Sequence, residues 1–180
     1  MNKQFMHILV LIIIVFVSLS SCGKWNKDEE LTLEKQPYNG NELRLDGYYY
    51  YMKDGKIFST CIFYKNGVMI NGGGADPNNT NPIAFLDTVF SASFFSDQIK
   101  KDKTRWGVFQ IQDNSIVFEN WLISEGSRPI GRFSGNILND TTFVITMQEN
   151  PYSGNVYPIN NLYHFRAFSP KPDSTNVFIP

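Results

Sequence analysis

The chain has 180 residues, of which 42% are hydrophobic and 15% aromatic, and this composition predicts one folded domain with a substantial apolar core rather than a disordered chain. Lysine and arginine number 16 against 17 aspartate and glutamate residues, which argues against a nucleic-acid partner, since nucleic-acid binding needs clustered cations to neutralise phosphates. Two cysteines and two histidines leave little for thiol or metal chemistry, so we predict neither a cofactor nor a metal site.

The first 21 residues are predicted to be a lipoprotein signal peptide. Lys3 precedes an apolar run from Ile8 to Val17, which suits a signal-peptide core and is shorter than the roughly 20 residues needed to span a bilayer. The run leads into Leu19-Ser20-Ser21-Cys22, which resembles the lipobox of bacterial lipoproteins. The resemblance implies cleavage before Cys22 and its acylation, and two or three acyl chains would anchor the protein stably in a membrane. The alternative is a secreted or uncleaved leader in which Cys22 is an ordinary residue.

Residues 22 to 42 are predicted to be the lipidated cysteine and a flexible tether, because the stretch is rich in residues that break regular structure. These residues are Pro37, Asn39, Gly40 and Asn41. The segment Lys27-Asp28-Glu29-Glu30 resembles the surface-export signal of Bacteroidota lipoproteins, and it is equally typical of a plain solvated tether. Gly23 differs from the aspartate that retains enterobacterial lipoproteins at the inner membrane. We therefore expect a lipid-anchored protein of the outer membrane, on its periplasmic side or at the cell surface.

Three strands are predicted next, separated by the turn signals Asp54-Gly55 and Asn66-Gly67. They run from Arg44 to Lys53, from Lys56 to Lys65 and from Val68 to Asn71. With two-residue loops, both faces of these strands are partly apolar. We favour as the interior the face with Met52, Ile57, Cys61, Phe63, Val68 and Ile70. Tyrosines such as Tyr49 and Tyr51 would then cover the outside.

A glycine-rich loop from Gly72 to Thr80 matches no phosphate-binding motif, and it lacks the closing acidic ligand of a calcium loop. Thr80 or Asn81 could cap a helix that has Pro82 in its first turn. Helical spacing of Phe85, Leu86, Val89 and Phe90 then predicts one short helix over approximately residues 83 to 95.

The most regular hairpin follows, with strands from Thr104 to Gln112 and from Ser115 to Ile123 around the turn Asp113-Asn114. This register places four apolar side chains on one face, which we predict to be the core: Phe109, Ile111, Ile116 and Phe118. Trp106 then lies opposite Trp121 on the other face.

The next hairpin, from Pro129 to Leu138 and from Thr141 to Gln148, predicts an irregular turn. A two-residue loop would put its two apolar triplets on opposite faces, whereas a three-residue loop at Asn139 to Thr141, or a bulge, brings them together. The triplets are Phe133, Gly135 and Ile137, and Phe143, Ile145 and Met147.

A last strand from Asn161 to Phe168 completes eight. Eight short strands joined mostly by hairpins, with one short helix, predict an all-β fold, an eight-stranded antiparallel up-and-down barrel over residues 43 to 170. Closure of such a barrel removes exposed sheet edges. Residues 171 to 180 are predicted to be a surface extension.

Several segments carry a resemblance to a known group of proteins. They are Leu45-Asp46-Gly47-Tyr48-Tyr49, Trp106-Gly107-Val108-Phe109, Phe133 to Phe143, and Lys171-Pro-Asp-Ser-Thr-Asn176. Together with the lipobox, these segments are similar to those of small lipocalin-like lipoproteins of Bacteroidota. The resemblance implies a lipocalin-like barrel and carriage of a hydrophobic ligand.

No catalytic arrangement is evident. His164 is the only histidine beyond the leader, and alternation places it with Arg166 on an outer face. Cys61 is predicted to be buried and inert. Asp46, Glu119 and Asp140 could meet as paired carboxylates, but their spacing does not favour it, and Glu119 lies on the same outer face as the tryptophans.

The tryptophan pair is the candidate binding feature, because two exposed indoles are costly to leave in water. One interpretation is that the helix near residues 83 to 95, or the tail with Val177 to Ile179, covers them. The other makes Trp106 and Trp121 ligand-binding residues, forming a stacking platform for sugar rings or for a partner's apolar side chain.

Two classes of function remain. The first is a non-catalytic, lipid-tethered binding domain, attached to the membrane through Cys22, that holds a small apolar ligand inside the barrel or a glycan or protein partner outside it. The second is an envelope or cell-surface hydrolase with an unrecognised site. A hollow apolar interior would favour ligand carriage, and a packed interior would leave only the outside.

Overall fold

The structure, a computed structural model, describes residues 28–75, 80–124 and 127–180. Cys22 and the signal peptide therefore lie outside the described residues. Eight strands pair in chain order, each antiparallel to the next, and β8 pairs with β1 to close a barrel. The strands are β1 Gly47–Lys53, β2 Lys56–Phe63, β3 Val68–Asn71, β4 Trp106–Gln112, β5 Ser115–Trp121, β6 Ile130–Asn139, β7 Thr142–Glu149 and β8 Val156–Ala167. The predicted all-β up-and-down barrel is confirmed.

The helical segment lies between β3 and β4. Helix α1 spans Pro82–Ser91, helix α2 spans Ser93–Ile99, and a 3₁₀ turn over Lys103–Arg105 leads into β4. Asn81 caps α1, since its side-chain oxygen accepts a hydrogen bond from the Ala84 amide at 3.1 Å. The helix predicted near residues 83 to 95 is thus present, and after an extended residue at Ala92 the helical segment continues to Ile99.

The β4–β5 hairpin has the predicted register. Phe109 pairs with Phe118 and Ile111 with Ile116, around the two-residue turn at Asp113 and Asn114. All four side chains face the barrel lumen, where they belong to or pack against one apolar cluster. A regular alternation on both strands and an unambiguous turn signal therefore suffice to define this hairpin.

The face predicted for β3 is wrong, because the β2–β3 loop has three residues rather than two. Phe63 pairs with Met69, and the Tyr64 amide donates to the Val68 carbonyl at 3.0 Å, so residues 65 to 67 form the loop. Gly67 occupies the left-handed region at φ 82°, as is typical of the last residue of a three-residue hairpin loop. The one-residue difference turns Met69 into the lumen and Val68 and Ile70 outward.

The tyrosines of β1 also depart from the prediction. Tyr49 lies in the lumen beside Cys61 and Phe63, whereas a register shift between Tyr51 and Met52 places Ile57 in the outer apolar cluster. The bulge re-aims the side chains at the start of β2 relative to those further along it. Tyr49 is therefore a lumen residue rather than an outer cover.

The irregularity predicted in the β6–β7 hairpin is present as a bulge. Ile137 pairs with Phe143 but Asn139 pairs with Thr142, so Leu138 is the extra residue and the loop itself has two residues. A second register shift lies between Ser134 and Gly135. It turns Met147 away from the face that the other five predicted residues share. The irregular turn was correctly predicted, but its position and the second bulge were not.

Aromatic side chains fill the described lumen. The ring of Phe63 on β2 lies 4.7 Å from that of Phe109 on β4 and 6.0 Å from that of Phe143 on β7, so these contacts cross the barrel. Phe143 in turn stacks on Tyr163 at 4.7 Å. Such distances are those of packed aromatic pairs. At this level the barrel is a core rather than a cavity.

One end of the barrel is closed by the chain that precedes β1. The Tyr38 amide donates to Lys65 at 2.9 Å and the Arg44 amide to Asp140 at 3.0 Å, while Tyr38 and Leu43 join the lumen cluster. We call this the closed end. The opposite end, which carries the β1–β2, β5–β6 and β7–β8 loops, is called the strap end, because the described chain begins there.

The outer wall is covered as well. We call residues 28 to 36 the strap and residues 171 to 180 the tail. Leu31 and Leu33 of the strap and Phe178 and Ile179 of the tail pack with the helices on the outer apolar cluster. Lys171 fixes the tail by donating to the carbonyls of Leu45 at 2.5 Å and Phe63 at 2.9 Å. The flexible tether expected up to residue 42 is wrong from Asp28 onward, and the tail, predicted to be a surface extension, packs on the outer wall.

The packed lumen predicts the cost of truncating a central ring. Replacing Phe118 by alanine should lower the free energy of unfolding by about 3 to 5 kcal/mol, the usual loss for a large core aromatic. Phe58→Ala, on an exposed aromatic of the same barrel, is the control and should cost under about 1 kcal/mol. Chemical denaturation of both variants measures the difference, and similar costs would contradict a packed lumen around Phe118.

Candidate functional site

Both tryptophans lie on the outer wall, opposite each other in the β4–β5 register, as predicted. Their exposed fractions are 0% for Trp106 and 3% for Trp121. Trp106 lies beneath the helical segment, and its indole nitrogen donates to the Ile99 carbonyl at 2.6 Å. The predicted stacking platform is wrong for Trp106, because its ring belongs to the core beneath the helices.

Trp121 is covered differently, by the strap. Its indole nitrogen donates to the Glu29 carbonyl at 2.7 Å. The ammonium of Lys103 lies 4.5 Å from the ring centroid, within the range of a cation–π contact. The Lys103 ammonium lies over the indole ring and the strap shields the ring from solvent, so Trp121 has no free face on which a sugar could stack. The open platform is therefore wrong for this residue too, and coverage is the correct interpretation.

Glu119, the neighbour of this pair on the outer wall, holds the strap. Its side chain is fully buried, and one oxygen accepts from the amides of both Thr32 at 2.7 Å and Leu33 at 2.8 Å. The other accepts from the Thr32 hydroxyl at 2.7 Å and from Arg132 Nε at 2.8 Å. A buried carboxylate is tolerated only when it is paired and hydrogen-bonded. Glu119 meets that requirement by binding strap backbone.

Arg132 extends this network to the next strand. Its guanidinium donates to Glu119 and also to Glu149 at 2.9 Å and to the Thr32 hydroxyl at 2.5 Å. Burial disfavours its charge, but the hydrogen bonds to the two carboxylates outweigh burial and raise the pKa of Arg132. Arg132 therefore remains a cation that neutralises Glu119 while bridging β5, β6 and β7 to the strap.

The first strap residues bind at the strap end of the barrel. The Glu29 carboxylate accepts from the Ile130 amide at 2.6 Å and from the Asn150 side chain at 3.1 Å. Asp28 pairs with Arg128 at 3.1 Å and with Lys103 at 3.4 Å. The described part of the acidic segment, predicted to be a solvated tether or an export signal, thus contacts β6, the β5–β6 and β7–β8 loops and the 3₁₀ turn.

A cavity of about 350 Å³ lies between the strap and the tail, over β4 and β5. Its walls present polar and apolar surface in nearly equal amounts, and two lysines are among the lining residues. The lining residues are Glu30, Leu31, Leu33, Lys35, Lys103, Val108, Trp121, Phe178, Ile179 and Pro180. Lys35 donates to the Pro180 carbonyl and so ties the strap to the tail across one side. The site is large enough for a small ligand, for which pockets start at about 300 Å³.

Cys61 has the environment predicted for it. The thiol is free and buried in the lumen, and burial raises its pKa to about 12, against a weaker opposing effect of a hydrogen bond to Ser59. A thiol in this state is neither a nucleophile nor a metal ligand at neutral pH.

His164 and Arg166 share the exposed outer face of β8, as predicted, opposite Tyr163 and Phe165. Arg166 pairs with Asp87 of α1 at 2.8 Å, and the ring of His164 lies 6.1 Å from that of Tyr50. Arg166 therefore fastens the helix to the barrel.

The three carboxylates considered together in the sequence do not converge. Asp46 pairs with Arg44 near the closed end, where the Asp140 carbonyl also binds, whereas Glu119 binds the strap through Thr32 and Leu33. In residues 28–75, 80–124 and 127–180, no group of three or more His, Cys, Asp or Glu side chains could hold a metal ion.

Comparisons with known proteins add no family assignment. No protein family, no curated protein and no solved structure matches the chain. Among the described residues, no helix is both long and apolar enough to cross a membrane.

Sequence reasoning placed Glu119 on the correct face but missed its partner. The strap was assigned to a linker because of the Pro, Asn and Gly residues that follow it. The pattern Leu31-Thr32-Leu33 was the available signal, since its alternation is typical of a half-buried extended segment.

Removing the charge of Glu119 should loosen the strap. In Glu119→Gln, one carboxylate oxygen becomes an NH₂ group, which would face hydrogen-bond donors of Arg132 or of the strap. The free energy of unfolding should therefore fall by about 3 kcal/mol, as for broken buried pairs. Glu149→Gln, at the more exposed end of the same network, should cost about 1 kcal/mol or less. Denaturation gives the energies, and limited proteolysis within residues 28 to 36 reports strap release. Equal effects of the two changes would contradict the role given to Glu119.

Burial of Cys61 predicts low reactivity. In a Cys22→Ser form, where Cys61 is the only thiol, alkylation by iodoacetamide at pH 8 should be at least about a hundredfold slower in the folded protein than in denaturant. Mass spectrometry over time measures both rates. Comparable rates would show that the lumen around Cys61 is open.

Proposed function

We propose that this protein is a lipid-anchored, non-catalytic envelope lipoprotein of the outer membrane whose barrel holds a small apolar ligand against its outer wall. The lipobox ending at Cys22 and the resemblance to small lipocalin-like lipoproteins support the anchoring and the localisation. The cavity between strap and tail supports the binding role, and it is the observation on which the proposal depends.

The lumen is the less suitable place for a ligand. Rings from β2, β4 and β7 contact one another across it, and residues before β1 close one end. A ligand at that level would have to displace well-packed aromatic side chains, each of which contributes several kcal/mol to the core, about 3 to 5 by truncation. Binding on the outer wall needs no such displacement.

The lining of the outer cavity favours an apolar ligand over a glycan. Leu31, Leu33, Val108 and Phe178 contribute aliphatic and aromatic surface, which suits an alkyl or small hydrophobic group. A glycan would need an exposed flat ring, whereas the Trp121 ring carries Lys103 and is shielded. Lys35 and Lys103 also line the cavity, but their ammonium groups already have partners in the Pro180 carbonyl and the Asp28 carboxylate, so the apolar surface rather than a free cation would select the ligand.

A brominated medium-chain alkyl carboxylate tests the binding site. Trp25, the third tryptophan, lies outside the described residues, and Trp25→Phe removes its emission from the measurement. In this background the probe should quench tryptophan emission saturably, because bound bromine would lie beside Trp121 in the cavity. Trp106→Phe should keep this quenching and Trp121→Phe should lose it, since Trp106 lies beneath the helices. Absence of saturable quenching, or quenching that survives in Trp121→Phe, would contradict a ligand site in this cavity.

Membrane attachment is tested by Cys22→Ser. The parent protein should fractionate with membranes and carry acyl chains by mass spectrometry, whereas Cys22→Ser should be soluble, since the proposed anchor is the acylated thiol. A variant still processed and membrane-bound like the parent would contradict the lipoprotein assignment.

A further inference from the structure

We infer that the strap end of the barrel rests on the membrane that holds the lipid anchor, with a rim of exposed apolar and aromatic side chains in contact with the bilayer interface. This inference rests on the proposed lipidation of Cys22 and goes beyond it, because it assigns an orientation and a contact surface to the barrel.

The exposed large hydrophobic side chains are concentrated at the strap end. Tyr152 lies in the β7–β8 loop, and Val156 and Tyr157 begin β8 beside it. Ile123 follows β5 at the same end of the barrel, and Phe58 stands near the β1–β2 turn. Of the eight large hydrophobic side chains that are exposed among the described residues, five therefore lie at one end. A grouping of this kind marks an interaction surface, whereas scattered ones would need no explanation.

The strap starts within this rim. The Glu29 amide donates to the Arg128 carbonyl in the β5–β6 loop at 3.2 Å. The Glu29 carboxylate accepts from the Ile130 amide at the start of β6 and from the Asn150 side chain in the β7–β8 loop. The Tyr152 hydroxyl donates to the Glu30 carbonyl at 2.8 Å. The point at which the chain leaves towards Cys22 is thus fixed between the β5–β6 and β7–β8 loops.

The length of chain to the anchor then limits the distance to the bilayer. Cys22 and Asp28 are six residues apart in sequence, and six residues span at most about 20 Å even when fully extended. Because Asp28 is held by Arg128 and Lys103, the strap cannot lengthen this reach without breaking its contacts. The strap end is therefore the only end of the barrel that the anchor brings to the membrane surface.

The chemistry of the rim suits a bilayer interface rather than an anionic surface. Tyrosine is enriched where a polar headgroup layer meets hydrocarbon, and Tyr152 and Tyr157 occupy that position beside Val156 and Ile123. Among the cations at this end, Arg128 and Lys103 are both paired with Asp28, while the exposed Lys53 and Lys56 flank the β1–β2 turn. Two exposed lysines do not form the basic cluster that anionic lipids attract, so contact should depend mainly on apolar and aromatic insertion and should not require negatively charged lipids.

Matched thiol labels at the two ends of the barrel test the orientation. Val156→Cys at the strap end and Leu138→Cys at the closed end replace side chains that are 52% and 58% exposed, respectively. Each full-length, acylated variant is labelled with a polarity-sensitive dye, since the native Cys61 is buried and Cys22 is acylated, and is reconstituted in phosphatidylcholine vesicles with brominated acyl chains. We expect blue-shifted emission and several-fold stronger quenching at position 156 than at 138.

The outcomes separate this inference from the proposed function. A purified chain without acyl groups would overturn both. An acylated, vesicle-bound protein with equal quenching at the two labels would overturn the orientation alone. A label at position 156 that is shielded from water but not quenched by brominated lipid would mean that protein, rather than the bilayer, covers the rim. Quenching that requires anionic lipid would mean that electrostatic attraction holds the barrel to the membrane. Either result also overturns the inference.

Discussion

The arrangement depends on one constraint, which is that the barrel wall is apolar on both faces over β1 to β5. A barrel whose outer face is polar needs only its lumen filled, but here Ile62, Ile70 and Trp106 point outward and would be exposed. Burial of apolar surface is the dominant favourable term in folding, so the chain must provide a second layer. The two helices, the strap and the tail are that layer, and each crosses a part of the wall that the others leave open.

The same constraint explains why a carboxylate is buried on an otherwise apolar wall. An extended strap has unpaired backbone amides, and an apolar surface cannot accept their hydrogen bonds, which makes their burial costly. Glu119 accepts two successive amides, from Thr32 and Leu33, and Arg132 neutralises the charge that this requires. The network therefore gives the strap a defined register that apolar packing alone would not specify.

Local pattern predicted the architecture well, and the errors have identifiable physical causes. Regular alternation around Asp113-Asn114 defined the β4–β5 hairpin, including its core face. The Asn66-Gly67 signal was ambiguous between loops of two and three residues, and that single residue reversed the face of β3. Coverage by the strap was not predictable from local spacing, because it joins residues far apart in the chain, and without it Trp121 looked like an exposed platform.

The strap contacts also have a consequence for the order of folding. Thr32 and Leu33 bind a carboxylate that lies 87 and 86 residues further along the chain, respectively, and Glu30 binds a tyrosine 122 residues away. Contacts of such high sequence separation require long loops to be closed first, so they form after the local hairpins that they link. The first described residues of the chain should therefore dock late, after the strands that carry Glu119 and Arg132 have paired.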